Sequence, residues 1–237
     1  MGAEALWPTQ CAICDKRGLP LCDSCRGHLP YLDLWRACPR CGAPYGRHQC
    51  TECTNEKLKE LGLTSLPFDS CVSALHYNRD SAHIVRSYKD KGDRRLAQFL
   101  AYMIACVIPP EWIVLDVKRQ TSIITYIPTT SRAYLKRGFD HMAGIAQVVA
   151  SLTGLPLYSL FTVSETLDQR TLSRSERFDN MRGSVQLRPE ARCIMPIERV
   201  IVLDDVFTTG ATLCAACTAL RSCGGKRITC ATCIRVY

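Results

Sequence analysis

The sequence predicts an α/β protein, a mostly parallel sheet flanked by helices, behind a small cysteine-rich module. Three observations carry this. Eight of the sixteen cysteines fall within the first 53 residues, always as Cys-x-x-Cys pairs. From Cys71 onward strand-like runs alternate with helix-period segments, the pattern of an α/β fold. One run, Val200 to Leu203, is continuously apolar, the type buried on both faces of a parallel sheet. The division is expected between residues 1–68 and 69–237.

In the first module, Cys11-x2-Cys14 and Cys22-x2-Cys25 are separated by seven residues. Twelve more lead to Cys38-x2-Cys41 and eight more to Cys50-x2-Cys53. Two facing knuckles of this type give four sulfurs in a tetrahedron, the geometry zinc accepts from thiolates. Gly18, Gly27, Gly42 and Gly46, with Pro20, Pro39 and Pro44, supply the tight turns. Two successive quartets are the simplest pairing, since each closes a short loop. The expectation is two structural zinc ions, because a closed four-thiolate site leaves no open position for catalysis. Metal here substitutes for a core that about 50 residues can barely build. Cys214-x2-Cys217 and Cys230-x2-Cys233 share the spacing but sit in an alanine-rich helical pattern and a strand-like run. They read as buried free cysteines.

In the second part, Cys71 to Tyr77 reads as a strand and Ala82 to Tyr88 as a helix. The charged turn Lys89-Asp90-Lys91-Gly92-Asp93 interrupts, and helix-period apolar residues resume from Arg94 to Val107. Ser122 to Ile127 is β-branched and ends at Pro128. Asp140 to Leu152 is amphipathic, with Met142, Ile145, Ala146 and Val149 on one face, closed by Gly154 and Pro156. A strand is expected at Tyr158–Thr162, another at Arg199–Leu203, a helix from about Ala211 to Leu220, and a last strand from Arg227.

Composition excludes several classes. With 47% hydrophobic and 22% charged residues the chain is neither disordered nor collagen-like. The run from Leu96 to Pro110 is shorter than the ~20 residues a membrane span needs, and polar residues break His141 to Ser164. The start has no basic segment followed by an apolar run, and Met-Gly lacks the hydroxyl residue at position 6 that myristoylation prefers. A cytoplasmic protein without membrane insertion is expected, and there paired cysteines stay reduced and bind metal. Residues 1–70 carry eight basic and eight acidic side chains, so the whole net charge of +8 sits in residues 71–237. An acidic ligand therefore belongs to the second part.

The most informative segment is Val200-Ile201-Val202-Leu203-Asp204-Asp205-Val206-Phe207-Thr208-Thr209-Gly210-Ala211-Thr212. A buried strand ends in two carboxylates, and a Thr-Thr-Gly turn opens a helix. Backbone N–H groups at a helix start form an anion site, and glycine permits close approach. Adjacent carboxylates accept hydrogen bonds from adjacent hydroxyls. The ligand implied is a sugar with neighbouring hydroxyls and a phosphate nearby.

This segment resembles the 5-phosphoribosyl 1-pyrophosphate (PRPP) signature of type I phosphoribosyltransferases. Together with the cysteine pairs, the chain resembles the ComF/GntX family, a double zinc ribbon ahead of a phosphoribosyltransferase domain. Three more segments fit: Ile84 to Leu100; Pro128 to Gln147; and Gln169 to Val185, with Gln169, Leu172, Arg177 and Asn180 in place. The chain departs from the family at Asp140-His141, where the family has Asn-Gln, and in a stretched Lys-Tyr-x-Gly-Asp segment. Asp140 can cap the following helix as Asn would.

The resemblance implies a site. Asp204 and Asp205 would be the catalytic pair at the ribose hydroxyls. Thr208, Thr209, Gly210, Ala211 and Thr212 would hold the 5′-phosphate. Thr129, Thr130, Ser131, Arg132 and Arg137, in a loop after the second strand, would meet the pyrophosphate together with Arg174 and Arg177 from a mobile hood. Magnesium, held mainly by substrate oxygens, would neutralise the leaving group. The transition state would be oxocarbenium-like, with no obligatory protein nucleophile. His76, His83 and His141 read as ordinary surface or core histidines. Two functions stand: transfer of phosphoribose to an unidentified acceptor, or a non-enzymatic PRPP-binding or DNA-uptake accessory, with single-stranded DNA or competence proteins as partners.

Overall fold

The computed structural model describes residues 8–113, 122–165, 183–194 and 197–237. Two short helices, α1 (Asp23–Gly27) and α2 (Asn55–Glu60), lie in the cysteine-rich part. Strand β1 (Ser70–His76) then leads to α3 (Arg79–Lys89), α4 (Leu96–Val107) and α5 (Pro110–Ile113). Next come β2 (Ser122–Tyr126), α6 (Ser131–Arg137), α7 (His141–Thr153), β3 (Phe161–Val163) and β4 (Val185–Leu187). The chain closes with α8 (Ala191–Ile194), β5 (Arg199–Phe207), α9 (Ala211–Ser222) and β6 (Arg227–Arg235).

The main sheet has the order β1-β6-β5-β2, and every neighbouring pair is parallel. Alternation along the strands sorts the core into two layers. Ile124, Ile201, Leu203 and Ile234 face Ile84, Leu100, Ile104 and Ile145 of α3, α4 and α7. Ile123, Val200, Val202 and Ile228 face Leu213, Ala216 and Leu220 of α9 on the other side. The expected mostly parallel sheet flanked by helices is therefore present.

Local signals account for the helix ends. Asn78 and Ser81 form a reciprocal capping box on α3, at 2.8 and 2.9 Å. Asp140 caps α7 by accepting from the amides of Met142 and Ala143, as its sequence position predicts. Gly154, at φ 72°, ends the helix in the left-handed region.

Four expectations need correction. Residues 131–137 form a helix, α6, where a loop was expected, because Thr130 caps it and Gly138 ends it at φ 75°. β5 does not stop at the carboxylates but runs through them to Phe207, held by pairing with β6. α4 begins at Leu96, since Arg94 and Arg95 belong to the turn after Gly92 and Asp93. The strand expected at Tyr158–Thr162 shortens to β3, which pairs antiparallel with β4 in a separate two-stranded sheet. Tyr158 itself lies alongside β2, its amide donating to the Ile124 carbonyl at 2.9 Å.

The cysteine-rich part packs on this sheet. Cys11, Leu21 and Leu29 join the same apolar cluster as Leu75, Ile84 and Leu100. Residues 30–32 run along the outer edge of β1: Leu32 N–H donates to Ala74 and His76 N–H to Pro30, at 2.9 and 2.8 Å. Tyr31 bridges antiparallel to Leu75. Gly42, at φ 69°, approaches β1 so closely that a Cβ there would lie 2.7 Å from the Cys71 carbonyl oxygen. Among the described residues no helix is long and apolar enough to cross a membrane.

Candidate functional site

Each cysteine quartet closes within itself. Cys11, Cys14, Cys22 and Cys25 form one cluster and Cys38, Cys41, Cys50 and Cys53 the other, with ligand atoms in each within 4.8 Å of one another. Sγ–Sγ distances are 3.7 Å for Cys14–Cys22 and Cys38–Cys53, and 3.5 Å for Cys41–Cys50. A tetrahedron with Zn–S bonds of about 2.3 Å has edges of about 3.8 Å, so both clusters fit structural zinc. Burial pushes the Cys11 thiol up, but hydrogen bonds from the backbone of Cys22, Cys14 and Ile13 outweigh it and bring it to about 6. The thiols of Cys41 and Cys53 hold Cys38 well below the usual range, and Cys38 in turn pushes Cys53 to about 12. Without a cation one thiolate forms at the expense of its neighbours; a metal would let all four coexist and release their protons. Cys214, Cys217, Cys230 and Cys233 are buried in the apolar layers.

A cavity of about 580 Å³ opens at the C-terminal ends of the parallel strands, where ligands of open α/β sheets bind. Asp204 and Asp205 reach it from β5, Thr208 and Thr212 from the turn into α9, Thr129 and Thr130 from the β2–α6 connection, and Arg137 from the last turn of α6. Lys89 and Asp90 from the end of α3, His141 from the start of α7 and Tyr77 after β1 complete the wall.

The turn into α9 is shaped by Gly210, at φ 80°, where a Cβ would lie 2.6 Å from Cζ of Phe207. Thr209 Oγ1 accepts from the Ala211 amide at 3.3 Å. Beneath this turn lies Arg235 of β6, donating to the carbonyls of Thr208 and Phe207 at 3.2 and 3.4 Å. On the β2 side, Arg137 donates to Thr129 Oγ1 at 3.2 Å and pairs with Asp90 at 3.4 Å.

The two carboxylates differ in state. Burial alone would raise Asp205, but Lys89 Nζ at 2.6 Å and His141 Nε2 at 3.2 Å hold its carboxyl well below the usual range. Asp204 is pushed well above that range, first by burial and then by the charge of Asp205. For Lys89, burial is overcome by Asp205, which keeps the ammonium charged.

Of the predicted site residues, Asp204, Asp205, Thr208, Thr212, Thr129, Thr130 and Arg137 meet in one cavity. Thr209, Gly210 and Ala211 build the turn behind it. Ser131 and Arg132 do not line it: both are exposed on α6, and the Arg132 amide donates to Glu165 at 2.8 Å. Arg174 and Arg177 lie outside the described residues. Sequence reasoning missed Lys89, His141 and Arg235. Lys89 lies within a segment that resembles the family, while His141 was read as ordinary and Arg235 carried no local signal.

Comparison with known proteins agrees with this arrangement. Residues 155–236 match the phosphoribosyl transferase domain. Competence protein F of Haemophilus influenzae is 23% identical over 222 residues, covering 92% of this chain and 86% of the relative. Adenine phosphoribosyltransferase 1 of Triticum aestivum is 32% identical over 62 residues, 26% of this chain and 34% of the relative. The resemblance read from the motifs is thereby shown: the chain carries a phosphoribosyl transferase domain, follows competence protein F along nearly its whole length, and opens with two four-cysteine clusters that fit a double zinc ribbon.

Proposed function

We propose that the cavity binds PRPP with magnesium and that the protein transfers the phosphoribosyl group to an acceptor. One observation carries this reading. The Asp204-Asp205 pair and the threonine turn into α9 share a cavity with Thr129 after β2 and Arg137 at the end of α6. These suit the two charged ends of one ligand: amides and hydroxyls for a monophosphate, a guanidinium for a diphosphate. Asp205, kept charged by Lys89 and His141, accepts from the ribose hydroxyls, while Asp204 can donate or accept.

In the reaction the bond from the ribose C1 to pyrophosphate breaks and the acceptor's lone pair forms the new bond to C1. Pyrophosphate leaves with its electron pair, and the acceptor's proton passes to solvent. Arg137 stabilises the departing charge; Arg174 and Arg177 add to it in this proposal. Magnesium on the pyrophosphate would supply further neutralisation, and the carboxylates of Asp90, Asp204 and Asp205 are the hard oxygen donors that suit it. Residues 1–68 serve as the zinc-ribbon module and 69–237 as the transferase domain. The described cysteines form no disulfides, which suits a reducing compartment such as the cytoplasm.

Calorimetric titration with PRPP and Mg²⁺ tests the site. Saturable binding is expected, weakened about tenfold or more in the Asp204→Asn, Asp205→Asn double variant; unchanged affinity would remove the ribose assignment. Pyrophosphate release across candidate bases tests transfer. The likeness to competence protein F favours a second reading, PRPP binding without turnover in a DNA-uptake accessory. Tight PRPP binding with no release in the presence of any base would select it.

A further inference from the structure

We infer that Arg235 is a positioning residue of the phosphate turn, and that its missing counter-charge is the 5′-phosphate of the ligand. The inference rests on the assignment of the Thr208–Thr212 turn to that phosphate.

Arg235 is the largest fully buried side chain of the protein's described residues, at 1% exposure. Its guanidinium lies 3.7 Å from the centre of the Phe207 ring, the same ring that fills the space beside Gly210. One of its nitrogens donates to the carbonyls of both Phe207 and Thr208. In a trans peptide the following N–H points opposite to the carbonyl. The Phe207 carbonyl is already held by the Val236 amide at 2.9 Å, so the carbonyl that Arg235 fixes is that of Thr208, and the Thr209 amide is thereby turned away from the guanidinium. Arg235 thus sets the direction of the Thr209 donor in the turn.

Its charge is left over. Among the described residues no carboxylate lies within ion-pairing distance of Arg235, and its Nε is buried without a hydrogen-bond partner. A buried cation held only by carbonyl dipoles and a ring face costs the unliganded fold stability. An anion seated on the turn just above would supply the opposite charge through a low-dielectric layer, where attraction is strong. The residue is therefore a burden on the empty protein and an asset to the bound one.

The test titrates wild type, Arg235→Met and Arg235→Lys with ribose 5-phosphate between about pH 7 and 9, above the pKa of about 6 of its monoester phosphate, and with inorganic phosphate at one fixed pH. Thermal unfolding without ligand accompanies it. Wild-type affinity for ribose 5-phosphate should be flat with pH. The Met variant should bind both probes about tenfold or more weakly, with an unliganded melting temperature equal to or above wild type. The Lys variant should bind well near pH 7 and lose affinity as pH rises, because burial lowers a lysine's pKa. A Met variant that binds both probes like wild type would overturn the inference. So would a Lys variant as weak as Met at every pH, since hydrogen-bond geometry rather than charge would then be at work. Should the Met variant fail to fold, the pH profile of the Lys variant decides alone. A wild type that binds neither probe would instead remove the assignment of the turn itself.

Discussion

Asp205 is charged because Lys89 and His141 outweigh its burial, and Asp204 resists charge because it is buried and because Asp205 is next to it. The folded pKa of Asp205 lies below its unfolded value of about 3.9, so its stabilisation is present above that value and lost as pH falls through the folded one. Asp204 has the opposite sign: its contribution is full below the unfolded value and lost as pH rises through its raised folded pKa. Lys89→Met should therefore lower the melting temperature at pH 7 by several degrees, with the gap to wild type shrinking below about pH 4. Asp204→Asn should melt higher than wild type at pH 7, since it removes a buried acid that resists ionisation. A pH series of thermal unfolding curves checks both. The carboxylate–threonine half of this site was legible because its members are contiguous in the chain. Lys89 and His141 reach Asp205 across 116 and 64 residues, a relation no local pattern encodes.

At the scale of elements, the strands and long helices were readable because each carries its own period, from the amphipathic face of α7 to the apolar run of β5. Helix α6 was not, since seven residues are too few to show a stripe. Its signals were punctuation alone, Thr130 before it and Gly138 after it. The extension of β5 past the carboxylates was hidden for another reason: pairing with β6 overrides the polarity of Asp204 and Asp205. The turn between β5 and α9 depends on backbone freedom at Gly210. Gly210→Ala meets both a left-handed φ and the Phe207 ring, and should cost about 1–3 kcal/mol of stability in urea unfolding while weakening phosphate probes. An alanine variant with wild-type stability and binding would show that the turn relaxes freely.

For the whole molecule, the cysteine clusters and the sheet share contacts along β1 and within one apolar layer. Metal analysis of reduced protein should return close to two zinc per chain. Chelation should lower the melting temperature of the entire chain, because Cys11, Leu21 and Leu29 contribute to the core under α3 and α4. A calorimetric trace in which a separate, unshifted transition survives chelation would show that the two parts fold independently. The seam between them was not legible in the cysteine spacing, which reports how each cluster closes but not what it leans on.

Residues 30–32 lie on the outer side of β1, occupying hydrogen-bonding positions at that edge of the parallel sheet. A bare strand edge is a template on which other chains can add strands. The short stretch that follows the first cluster thus acts as a guard against self-association, and its grip depends on the fold that the cluster maintains. Scarcity of metal would then be felt first as a loss of solubility: the protein would begin to clump through its own β1 before its cavity lost any of the groups that face a ligand.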